Sequence, residues 1–221
     1  MSTISNFEIG DIVTLKSHPL FRPHAKIKEF SSQVPPLMLV KEVHFENKKN
    51  IKNFSEEMPE TQISDNIKYV CVFFNASKSQ FEEKMIYRSF LKPYLDLKYI
   101  NRVDENKDEN KKIDLIPEVA TYKQAIYKYG MAVQFKTKKL EHRKSYDVNN
   151  NEKTINISFQ TPDFILSGTK KEAQIDLFYS DGSSRKIITE QLYKVIWYNH
   201  MQQKFSEHFL PKEFFVTGLE I

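Results

Sequence analysis

The chain has 221 residues, of which 40% are hydrophobic and 13% aromatic, with 33 basic against 29 acidic side chains and a formal charge of +4. These are globular values, and the charge permits nucleic-acid contact without demanding it. No run approaches the 18 apolar residues or so of a membrane span, the first residues lack a secretory pattern, and the single cysteine has no internal disulfide partner. A cytoplasmic protein is the expectation.

Taken in order, Phe7 to Lys16 opens with the turn pair Gly10-Asp11 and continues as an alternating strand, Ile12 to Lys16. Residues 17–34, with Pro19 and Pro23, read as a surface loop. Pro35-Pro36 starts a second strand over Leu37 to Phe45. Residues 47–66 are polar and broken by Pro59, an insertion with little fixed structure. Tyr69 to Asn75 is the strongest strand, followed by a turn, a short strand at Phe81 to Met85, and a single helical or 3₁₀ turn from Tyr87 to Leu91. Asp104 to Lys112 is a solvated charged linker. Pro117 then heads a short helix on the spacing of Val119, Tyr122, Ala125, Ile126 and Tyr129.

The second half repeats the first. Tyr69, Asn75, Phe81, Glu83 and Phe90 are identical to Tyr193, Asn199, Phe205, Glu207 and Phe214, and the apolar positions between them match in kind. Upstream, Gly130, Val133, Phe135 and Lys136 echo Gly10, Val13, Leu15 and Lys16, while Pro162, Phe164, Ile165 and Leu166 echo Pro36, Met38, Leu39 and Val40. Three anchors in one order point to an internal duplication. Residues 173–179 and 184–189, joined at Asp181-Gly182, predict an additional hairpin.

In the first unit Gly10, Asp11, Val13, Leu15, Lys16 and Ser17, then Pro36, Met38 and Val40, then Cys71, Phe73 and Phe74 form a pattern that resembles YodC-like small bacterial proteins. The second unit follows it less closely, with Met131 for the Asp and Val195 for the Cys, and the first lacks the family's Gly-Gly turn. The resemblance implies a compact SH3-like β-barrel and no particular activity. The expected architecture is mainly β: two related SH3-like small barrels in tandem, at 1–98 and 129–221, joined by a charged linker and short helix at 99–128.

Chemistry-bearing residues are sparse. Cys71 sits in mid-strand between Val70 and Val72, where a buried thiol is inert. His18, His24, His44, His142, His200 and His208 are scattered and suggest no metal site. Glu82, Glu83 and Glu207 read as solvated charges rather than paired catalytic acids, and five glycines supply no phosphate-cradling loop. No catalytic residue and no cofactor is predicted. Two binding candidates remain. One is the basic strip of Lys136, Lys138, Lys139, Arg143 and Lys144. The other is the outward face of the aromatic strands: alternation places Phe73 and Trp197 in the two cores and turns Phe74 and Tyr198 outward, either toward a partner or against each other's unit. The expected function is a non-catalytic accessory or scaffold module that binds another protein. The alternative is a nucleic-acid-binding protein using the 136–144 strip and exposed aromatics.

Overall fold

The structure is a computed structural model that describes residues 6–18, 21, 34–47, 65–96, 127–138, 143–146, 153–156 and 161–217. The expected charged linker, residues 117–126 of the expected helix and most of both insertions lie outside the described residues, and the last expected helical residues, 127–129, are not helical but lead into the turn at Gly130.

Alternating and β-branched residues make the described chain mainly β, with no α-helix among the described residues. The first unit contains β1 (Ile12–Leu15), β2 (Met38–Phe45), β3 (Ile67–Asn75), β4 (Gln80–Tyr87) and β5 (Leu91–Pro93), with a 3₁₀ turn at Arg88–Phe90 before the last strand. They form an antiparallel sheet in the order β4-β3-β2-β1-β5. The second unit contains β6 (Ala132–Phe135), the separate hairpin β7 (Arg143–Tyr146) and β8 (Lys153–Asn156), β9 (Asp163–Lys171), β10 (Lys186–Ile187), β11 (Gln191–Asn199), β12 (Lys204–Pro211) and β13 (Phe215–Thr217). Its sheet runs β12-β11-β9-β6-β13, the same order as the first.

The correspondence extends to register. Ile12 faces Leu39 where Ala132 faces Ile165, Leu39 faces Val72 where Ile165 faces Ile196, and Phe74 faces Phe81 where Tyr198 faces Phe205. Both sheets carry a bulge at the same place, at Lys41 and at Ser167. The turns after β3 and β11 both bend through a left-handed residue, Ser79 at φ 51° and Gln203 at φ 50°.

The sheets are not closed barrels, which corrects the expected architecture. The reason lies in how their faces are covered. In the first sheet Tyr69, Cys71 and the half-buried Phe73 pack on Phe7, Val13, Met38, Val40 and Leu91, a core of that unit's own. In the second sheet the matching inner face, with Phe135, Phe164, Val195, Trp197 and Phe214, is instead filled by the outer face of the first sheet. Ile12, Leu37, Leu39, Val72, Phe74 and Phe81 enter that inner face and form one core with it. The second sheet thus wraps its neighbour rather than itself. The 172–190 segment strengthens the union: the expected turn at Asp181-Gly182 forms, but its return strand β10 pairs with Val43 and His44 on the edge of β2.

Candidate docking surface

The first sheet shows how its outer face is meant to be covered. Phe81 lies with its ring centroid 5.2 Å from Phe135, 5.3 Å from Phe164 and 5.4 Å from Trp197, and Phe74 meets it edge-on at 5.1 Å. Such edge-on packing adds to the about 1.5–3 kcal/mol from burying each ring. Polar groups close the rim. Trp197 Nε1 donates to the Ser79 carbonyl at 3.0 Å, Asn199 Nδ2 donates to the same oxygen at 2.9 Å, and Lys136 Nζ donates to the Gly10 carbonyl at 2.8 Å. His208 of the second sheet stands 3.5 Å from Glu83 of the first. With Lys41 at 2.7 Å on its other side, Glu83 is held down at about pKa 2, by His208 first and Lys41 next, against burial.

The second sheet carries the same outer face uncovered. Alternation along β11 turns Val195 and Trp197 inward and Lys194, Ile196 and Tyr198 outward. Tyr198 is 52% exposed and its cross-strand partner Phe205 71%, their rings 5.6 Å apart and edge-on, as Phe74 and Phe81 are in the first unit. Ile165, 42% exposed, and the half-buried Ile196 continue the patch across β9 and β11. Lys194 and Glu207, 2.5 Å apart, neutralise one another on the same face. The patch is therefore apolar, with its adjacent charges balanced.

The sequence-predicted residues separate. Tyr198 lies on this surface. Phe74 does not: it is buried between the units, because the second sheet covers the face it occupies. Lys136 and Lys138 are not cations of an open strip. Lys136 reaches the Gly10 carbonyl and burial pulls its pKa down, while buried Lys138 holds Asp163 at 2.6 Å. Lys139 lies outside the described residues, and Arg143 and Lys144 are placed only by the backbone of β7. Phe205 and Ile165 were missed, although the alternation that selected Tyr198 also selects its cross-strand neighbours.

Elsewhere, burial pushes the Cys71 thiol up to about 12, so it carries almost no thiolate near neutral pH. Burial takes the His18 imidazole down to about 4. No metal-ligating cluster occurs among the described residues, and no helix there is long and apolar enough to cross a membrane. No protein-family model, no curated protein and no solved structure matches the chain.

Proposed function

We propose that the protein is a non-catalytic cytoplasmic binding module, an accessory or scaffold subunit that holds another protein on the outer face of its second sheet. In this reading each unit is an open-sheet relative of the SH3-like fold of YodC-like proteins, and the five-strand order with a 3₁₀ turn before the last strand supports it. One observation carries the functional reading. The face that the first sheet buries through Phe74 and Phe81 is repeated on the second sheet by Tyr198 and Phe205, and there it is exposed. Lys136 and Lys138, engaged inside the fold, favour a protein over a nucleic acid.

The test places a photo-reactive amino acid at Tyr198 of the full chain in its native host, with exposed Glu190 as the control position. A defined protein adduct from position 198, absent from 190 and lost when Phe205→Asp is added, is the expected result. No adduct from 198 would overturn the reading.

A further inference from the structure

Resting on the protein-binding reading above, we infer that the partner is a second copy of this chain, stacked head to tail. The outer face of the second sheet of one copy packs on the inner face of the first sheet of the next. The molecule carries both halves of such a contact, because the counterpart of each half in the other unit already packs in this way inside it. The outward half is the Tyr198–Phe205 pair with Ile165 and Ile196. The receiving half is found by asking which residues of the first sheet match Phe135, Phe164, Trp197 and Phe214, the groups that surround or back the Phe81 ring in the second. They are Leu15, Met38, Phe73 and Phe90, of which Met38 is buried in the first unit's own core. Phe135 and Phe214 are almost wholly buried by the internal contact, whereas Leu15 and Phe73 are only half-buried and Phe90 is 49% exposed. The other end of that inner face, at Tyr69 and Cys71, is closed by its own core. The open end is the one that the outward aromatic pair would need.

The polar contacts transfer as well. Glu83 and His208, which meet across the internal interface, correspond to Glu207 and Lys84, both exposed and of opposite charge. Lys136 and the Gly10 carbonyl correspond to Lys16 and the Gly130 carbonyl, again both at the surface. A methyl at Gly10 would strike Glu213, but around Gly130 there is open space where the next copy would sit. Charge and shape therefore match at two places besides the aromatic pair, Glu207 with Lys84 and Gly130 with Lys16. Such an interface uses different surfaces on its two sides, so it propagates into open chains or closes into a ring rather than stopping at a two-fold dimer.

Sedimentation velocity on the full chain over a rising concentration series provides the test. The weight-average mass is expected to climb past that of a dimer. Phe205→Asp removes the outward half and Phe90→Asp the receiving half, so each variant alone is expected to stay monomeric. Mixed together, they are expected to form one 1:1 complex and nothing larger, since one intact half remains on each. Circular dichroism and Trp197 fluorescence check that both are folded. If either is not, Lys84→Glu is expected to weaken assembly, and adding Glu207→Lys in the same chain to restore it. A wild-type chain that stays monomeric throughout overturns the inference, while an adduct from position 198 with a different protein would leave the binding reading standing. Association of the wild type without rescue in the mixture would mean a face-to-face dimer and would equally overturn the head-to-tail arrangement.

Discussion

A methyl group at Gly10 would fall 2.6 Å from Glu213 Cβ, whereas at Gly130 it would meet nothing within 4 Å. Both glycines hold the same left-handed turn, at φ 89° and φ 79°. Alanine at either pays the left-handed strain of about 1–2 kcal/mol. Only Gly10→Ala adds a collision with the other unit, at Glu213 Cβ, so urea melts should show it clearly less stable than Gly130→Ala. His18 tests burial at the same scale. Its folded pKa of about 4 lies below the ordinary 6.5, so the unfolded chain takes up the proton first. The stability it contributes is complete above pH 6.5 and declines as pH falls toward 4. In His18→Gln, denaturant midpoints measured across that window should lose this part of the slope. At the residue scale Cys71 was legible, since its apolar neighbours announced a buried thiol. His18 was not: a loop flanked by Pro19 gave no sign that its ring would be buried, with Phe21 edge-on at 6.0 Å.

Strands β4 and β12 place the same residue at the same position with opposite consequences. Phe81 is enclosed by the second sheet, and Phe81→Ala is expected to cost about 3–5 kcal/mol. Phe205→Ala, at a site mostly in water, is expected to fall within about 0.5 kcal/mol of wild type for the monomer. Chemical denaturation of the two variants at low protein concentration makes the comparison. A similar loss in both would contradict the unequal covering of the two faces. This is also where the sequence became ambiguous. Alternation stated correctly that Phe74 and Tyr198 share one face and Phe73 and Trp197 the other. Period-two patterning says nothing about which face a separate sheet will cover, so it assigned both units the same exposure. The turn at Asp181-Gly182 was visible from its residues, but 173–179 makes only the isolated Phe178–Ser184 bridge instead of the expected strand. The pairing of β10 with β2 was not visible, because a partner 140 or so residues away leaves no local pattern.

Across the whole molecule, Glu83 ties the two units together. Its carboxyl is held at about 2 by His208 and then Lys41, below its ordinary 4.5. The sign follows directly: the stabilisation is full above pH 4.5 and is lost as pH falls through the folded value near 2. Acid titration followed by Trp197 fluorescence should report loosening of the Ser79 contact in that range, and Glu83→Gln should flatten this part of the curve. The common strand order of the two halves was readable because three anchors recur in order. The shared core was not, since nothing in either copy taken alone distinguishes a sheet that builds a core of its own from one that encloses its neighbour.

That shared core sets an order in time. As the chain leaves the ribosome, β1 to β5 are complete long before β11 to β13 exist. Until Phe214 has emerged, the face with Leu39, Val72, Phe74 and Phe81 has no sheet to cover it. The first unit therefore passes through synthesis as an adhesive intermediate, and the interval in which it can be captured by chaperones, or aggregate, lasts about as long as translation of the second unit.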